Sequence, residues 1–383
     1  MTPAPLPLVT SPPRWHSLAP MPAPRAQPRI PMRLFFDPAQ TAHRPTQYGV
    51  HGRLVTPLEN PARAETLIQK LSALGLSQEA PEDHGLAPIH AVHADHYVAF
   101  LSEAYDLFQK LPNAGPEVLP NIHPYVSSGA DFAPRGKPRT TGILGRTGWY
   151  IGDLSCAMMD GTYRAAYASA QTSIAAAETV RSGEAASFAL CRPPGHHAYA
   201  DRANGFCFFN NASISAEILR KTYSRVAILD FDTHHGDGTQ AIFYRRSDVL
   251  VASTHTDPHA YYPHFAGYAE ETGAGDGEGF NLNLPLVFGA DDEAFVAAVA
   301  RLADKVSSFG AEALVISAGW DAHRDDPLSK LAVTTQAYGR IGTILGALGL
   351  PTVIVQEGGY SLAAVAEAAP LFTERFRAAH RVG

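Results

Sequence analysis

The chain has few cysteines. Cys156, Cys191 and Cys207 are the only three in 383 residues, an odd number with no ligand-like spacing. That excludes a disulfide framework and points to a reducing compartment. Positive charge is not in excess either. Thirty Lys and Arg face thirty-seven Asp and Glu, for a formal net charge of -7. A general nucleic-acid binder would carry a basic footprint instead. No apolar run approaches the roughly 18–20 residues needed to span a bilayer. Residues 1–31 lack the apolar stretch of about 7–15 residues found in a secretory signal. A soluble, cytoplasmic protein that engages neither nucleic acid nor membrane is the expectation. No internal repeat is found.

What is abundant is apolar residues and histidine. A hydrophobic content of 45% allows a large core, and the length admits one large α/β domain. Seventeen histidines against three cysteines steer any metal chemistry toward nitrogen and oxygen ligands. Ten of the thirty prolines fall within residues 1–31, which precludes a helix or central strand there. This segment reads as a disordered tail or the product of an upstream start codon. Met32 then opens a strand at 33–36 and a domain that continues to residue 383. Helical periodicity covers 61–76 and about 95–111. Residues 112–160 are rich in Gly and Pro and weakly periodic, and read as one long functional loop.

From Thr162 onward, apolar strands and helices alternate. Helices are expected at 163–181, 212–222, 238–244, from Asp291 or Asp292, at 335–348, and from Leu362 with Ser361 as N-cap. Strands are expected at 187–190, 226–230, 249–253, 313–317 and 352–356. Short apolar strands alternating with helices imply a mainly parallel central sheet with helices on both faces. No domain boundary is evident after residue 32.

The polar clusters sit at strand ends. Cys191-Arg-Pro-Pro-Gly-His-His197 follows one strand and Asp230-Phe-Asp-Thr-His-His-Gly-Asp-Gly238 the next. Asp321, in an Ala-Gly-Trp-Asp context, follows a third, and Glu357-Gly-Gly-Tyr360 the last. Sites in open α/β sheets form outside the carboxyl ends of the strands. If the 226–230 strand stays extended, Asp230, Asp232 and His234 project to one side. Two carboxylates and an imidazole are costly to bury without a cation or a dense hydrogen-bond network, so the stretch reads as a divalent metal site. His235 points to the other face and reads as structural.

These clusters, with Gly205-Phe-Cys-Phe-Phe-Asn-Asn211, resemble the motif set of the histone deacetylase superfamily. The resemblance runs in order from about Met32 to the C-terminus. The stretch from Thr256-Asp-Pro258 to Tyr268-Ala-Glu-Glu-Thr-Gly273 is most similar to its acetylpolyamine amidohydrolase branch. It implies a single arginase/deacetylase-type α/β domain that hydrolyses an acetylated amine, either an acetylpolyamine or an acetyl-lysine-like substrate. It further implies Zn2+ on Asp232, His234 and Asp321, a ligand set that would also accept Fe2+ or Co2+. His197 would act as general base and acid, with His196 electrostatic. Asp230 and Asp237 would orient His196 and His197 respectively. Tyr360 would donate to the oxyanion. Gly205, Phe206, Tyr262 and Leu328 would line the substrate channel. A structural K+ is implied on Asp230, Asp232, His234, Ser253 and Thr254, and a homodimer through the long loop.

The long loop departs from the polyamine branch. Leu144 and Ser155 stand where acidic residues are expected, with Asp153 close by, and Leu328 fills a position that is acidic in some polyamine-selective relatives. A protein-lysine deacetylase without polyamine activity and a catalytically silent acetyl-amine-binding homologue are the competing readings. An arginase-type dimanganese site is disfavoured by the His-His pair and Tyr360.

Overall fold

The expected strands join into one sheet. The computed structural model describes residues 29–124 and 135–380. Ten strands are found among them: β1 (Arg33–Phe35), β2 (Tyr48–Val50), β3 (Arg53–Val55), β4 (Ser77–Glu79), β5 (Ala186–Ala189), β6 (Val226–Asp230), β7 (Val249–Thr256), β8 (Asn281–Leu286), β9 (Ala313–Ala318) and β10 (Thr352–Gln356). Eight form a parallel sheet in the order β4-β1-β5-β10-β9-β6-β7-β8, and β2 and β3 pair as a small antiparallel hairpin.

Both sheet faces are apolar because strand side chains alternate. Ala227 and Leu229 of β6 pack on one side with Leu67, Phe295, Ile341 and Phe372 from helices Ala62–Ser72, Asp292–Phe309, Thr335–Gly346 and Leu362–Ala379. Val226 and Ile228 pack on the other with Phe100, Ile174 and Ile214 from helices Asp95–Phe108, Thr162–Arg181 and Asn211–Leu219. The caps form as expected. Asp291 accepts from Ala294 N at 3.1 Å and Ser361 from Ala364 N at 3.4 Å, satisfying amides that the first helical turn leaves unpaired.

Two expectations are modified. β8 was not anticipated, because its buried positions are Asn281 and Asn283 while its leucines are only partly covered, the reverse of an apolar alternation. The long loop contains a helix, Ile143–Tyr150. Gly145 and Gly148 dilute its periodicity, but buried Tyr150 anchors it against Phe100, with ring centroids 4.7 Å apart. The tail expected over 1–31 lies outside the described residues except for 29–31. There, Ile30 O accepts from Arg377 Nε of the last helix at 2.9 Å. Cys156, Cys191 and Cys207 are buried free thiols. Among the described residues, no helix is long and apolar enough to cross a membrane.

Candidate metal centre and active site

β5, β10, β9 and β6 are consecutive neighbours in the sheet. Their carboxyl ends therefore bring the four polar clusters to one rim. β6 does not continue extended past Asp230. Instead, Asp230 Oδ1 accepts from Asp232 N at 3.0 Å and Asp232 Oδ1 from His234 N at 2.9 Å. Such aspartate-to-backbone bonds two residues on compete with strand pairing and turn the chain. The turn separates the three side chains: Asp230 faces His196, while Asp232 and His234 face Asp321.

Asp232, His234 and Asp321 are buried, and each offers one ligand atom within 4.8 Å of the others. His234 Nδ1 stands 3.1 Å from Asp232 Oδ1 and 3.2 Å from Asp321 Oδ2. Asp321 Oδ2 is buried without a hydrogen-bond partner. Burial and the Asp232 charge raise Asp321 to about 7. Burial lowers His234, but the two carboxylates outweigh it and lift the imidazole to about 9. The two carboxylates thus crowd a single imidazole. Two carboxylate oxygens and one imidazole nitrogen at this range fit a divalent cation with an open coordination position. Gly358 N closes the centre from below, donating to Asp232 Oδ2 at 2.8 Å.

The paired histidines stand beside this centre, their rings 4.1 Å apart. His196 Nδ1 meets Asp230 Oδ2 at 3.0 Å and His197 Nδ1 meets Asp237 Oδ1 at 2.7 Å. Tyr199 Oη and Asn204 Nδ2 donate to Asp237 Oδ2 at 2.9 and 3.1 Å, fixing the carboxylate in place. Burial lowers His196, but Asp232, Asp230 and Glu357 together raise it well above the ordinary histidine value. His197 moves the other way, to about 4, through burial and then the neighbouring His196 charge. The two adjacent rings are thus shifted in opposite directions. Glu357 Oε2 accepts from Gly195 N and His196 N at 2.7 and 3.1 Å, which holds the histidine loop on β10's end.

The expected channel residues gather around this floor. Tyr262 lies edge-on to His197 with centroids 5.0 Å apart, and Phe206 faces Tyr360 at 5.9 Å. Gly205 has φ +52°, and a Cβ there would stand 2.7 Å from His197 Cγ; no other residue leaves room for that approach. Asp153 Oδ2 accepts from Tyr262 Oη at 2.6 Å and Gly205 N at 3.1 Å, while Ser155 Oγ donates to Asp153 Oδ1 at 2.6 Å. Leu144 is exposed on the Ile143–Tyr150 helix. The Leu328 carbonyl accepts from Tyr261 Oη. In the expected potassium set, Asp230 pairs in register with Ser253 across β6 and β7. Ser253 Oγ and His255 Nδ1 are 2.8 Å apart, and Thr254 Oγ1 donates to Leu284 O at 3.0 Å. His235 is buried away from the triad against His255, with centroids 4.6 Å apart.

Residues 57–376 match the model of the histone deacetylase domain. The chain belongs to the histone deacetylase superfamily. Within it, the chain is 46% identical over 332 residues to an acetylpolyamine amidohydrolase of Burkholderia pseudomallei, covering 86% of this chain and 94% of that protein. It is 40% identical over 318 residues to acetylpolyamine amidohydrolase 1 of Pseudomonas aeruginosa, covering 82% and 90%. A crystal structure of acetylpolyamine aminohydrolase from Burkholderia pseudomallei superposes with a TM-score of 0.87 at 44% identity, covering 91% of this chain and 100% of that one. These similarities place the chain in the acetylpolyamine branch of the superfamily.

Sequence reasoning missed a buried charged support beneath Tyr360. Arg63 donates to Gly359 O at 2.5 Å, Glu357 O at 2.6 Å and Glu59 Oε1 at 3.0 Å. Its guanidinium lies 4.7 Å from the Tyr360 ring centroid. Arg192 Nε reaches the same Glu59 at 2.8 Å, and Arg192 also donates to Gln40 O and His43 O at 2.8 and 2.6 Å. A signal for Arg63 was present. It occupies a position in the buried i, i+4, i+8 stripe with Leu67 and Leu71, where an unpaired charge would not be tolerated. Tyr261 gave no such signal, since an aromatic beside Tyr262 reads as wall packing.

Proposed function

We propose that this protein is a zinc-dependent amidohydrolase that removes the acetyl group from a small acetylated amine, with acetylpolyamines as the substrate class. The observation that carries the chemistry is the pair of buried histidines, each bonded through Nδ1 to its own aspartate, beside the buried Asp232-His234-Asp321 cluster. A divalent cation held by those three residues supplies Lewis-acid activation of water and of the amide carbonyl. His197, neutral above about pH 4, takes the proton from the attacking water and returns it to the leaving amine. Asp237 holds the Nδ1–H tautomer, leaving Nε2 as the acceptor. His196, kept cationic by Asp230, Asp232 and Glu357, contributes a fixed positive charge. Tyr360 donates its hydroxyl to the developing oxyanion. Burial keeps that phenol protonated, well above its ordinary value.

The substrate class rests on the polyamine-branch similarity over most of the chain. It also rests on Asp153, a half-buried carboxylate at the Tyr262–Gly205 wall. That carboxylate supplies the negative charge that Leu144 and Ser155 do not. Asp230, Asp232, His234, Ser253 and Thr254 are the proposed potassium set, some of them through backbone oxygens.

A substrate panel tests the proposal. Zinc-loaded protein would be offered acetylputrescine, acetylspermidine and an acetyl-lysine peptide. Deacetylation of the acetylpolyamines is expected, with kcat falling about 10²–10³-fold in Tyr360→Phe. Inactivity on the whole panel, or full activity in Tyr360→Phe, refutes the mechanism. Preference for the peptide refutes the substrate class alone.

A further inference from the structure

The metal-ligand histidine has a second partner outside the strand-end motifs. Tyr261 follows β7, outside the four strand-end clusters. Its ring stacks on His234, centroids 5.0 Å apart and planes within 16°. Its hydroxyl stands 2.8 Å from His234 Nε2 and also bonds the Leu328 carbonyl. A phenol has one proton, and a backbone carbonyl can only accept. The Tyr261 proton therefore goes to Leu328 O. The remaining partner, His234 Nε2, must bring its own proton and donate it to the Tyr261 oxygen. With Nε2 protonated in this way, the proton a cation would displace is the one at Nδ1, the nitrogen that stands 3.1 Å from Asp232 Oδ1 and 3.2 Å from Asp321 Oδ2.

We propose that Tyr261 is a positioning residue for the metal centre: its hydroxyl, anchored on Leu328 O, holds His234 in the Nε2–H tautomer that presents Nδ1 to the cation. This rests on the metal reading of Asp232, His234 and Asp321. The same hydroxyl ties that centre to the channel wall, because its anchor is the backbone of Leu328. The relay runs from the Leu328 carbonyl through one phenol to a metal ligand, without solvent, since Tyr261 is buried. Outer partners of ligating histidines orient the ring and raise its basicity, and their loss typically costs about 10–100-fold in metal affinity.

The test is Tyr261→Phe, which keeps the stacked ring and removes only the oxygen. Zinc affinity is measured by competition with a chelator on the full chain, beside wild type and Asp321→Asn. The expected result is affinity weakened about 10–100-fold, with a metal-free melting temperature close to wild type. Cobalt-loaded protein gives a second readout. Wild type should show an exchangeable, hyperfine-shifted ring N–H from His234. In Tyr261→Phe that resonance should broaden through faster exchange with water, which a merely structural role would not produce. Zinc affinity within twofold of wild type, or an unchanged N–H resonance, overturns the proposal. If Asp321→Asn binds zinc as wild type does, the metal reading itself has failed, and the role of Tyr261 falls with it.

Discussion

Gly358→Ala tests the metal centre by sterics alone. Gly358 N donates to Asp232 Oδ2 at 2.8 Å. A Cβ at Gly358 would lie 2.5 Å from Asp232 Oδ2 and 2.8 Å from Asp321 Cγ, and nearer still to Asp321 Oδ2. Ordinary contact begins at 3.4 Å, so Asp232 Oδ2 must retreat by about 0.9 Å and Asp321 Oδ2 by more, in a core that yields little. Metal–ligand distances tolerate only about 0.2 Å. Two of the three protein ligands would therefore leave coordinating range. Gly358 is not among the residues with positive φ, so alanine adds no backbone strain and the overlap is the only perturbation. Zinc affinity is expected to fall by more than about 100-fold, beyond the usual cost of losing an outer partner. Chelator competition and metal content per chain measure it, and circular dichroism confirms the fold. Gly115→Ala is the control, since its nearest neighbour would be Glu117 O at 3.9 Å. Gly358→Ala that binds zinc within threefold of wild type would refute a metal on Asp232 and Asp321.

Asp237→Asn removes the carboxylate that receives His197 Nδ1–H, while Tyr199 and Asn204 still anchor the side chain. It should lower kcat by about 10²-fold or more through the wrong tautomer, leaving KM and bound zinc nearly unchanged; an unaltered kcat removes His197 from the proton transfer. Stability should also depend on His93, which accepts from Asn210 N at 2.8 Å through Nε2 and is lowered by burial to about 3. Its folded-state value lies below its unfolded one. The stabilisation is thus complete above about pH 6.5 and is lost as pH falls toward 3, by on the order of 4 kcal/mol. Urea melts at pH 7 and pH 4 should show a shallower decline in His93→Gln; identical slopes would contradict it.

The sequence by itself determined the chemistry available and where along the chain it sits. Apolar runs of four to six residues, alternating with helical periods, can bury both faces only in a parallel sheet covered on two sides. Charges placed directly after such runs must then collect at the strand ends. Local pattern suffices for this, because side-chain direction within an element depends on spacing alone. It did not extend to β8, where asparagines take the buried positions, or to the turn after Asp230, where carboxylates bond their own backbone.

Only the tertiary structure decided which clusters meet. The order β5-β10-β9-β6 makes neighbours of strands far apart in sequence and draws Asp321 onto His234. The arrangement also shifts two adjacent histidines in opposite directions. Both are buried, but His196 faces three carboxylates, which raise it, while His197 faces one carboxylate and the imidazoles of His196 and His234. Arg63 beneath Tyr360 and Tyr261 behind His234 belong to the same category. Their contacts cross from one element to another, and spacing along a chain carries no information about a proton shared across the sheet's rim.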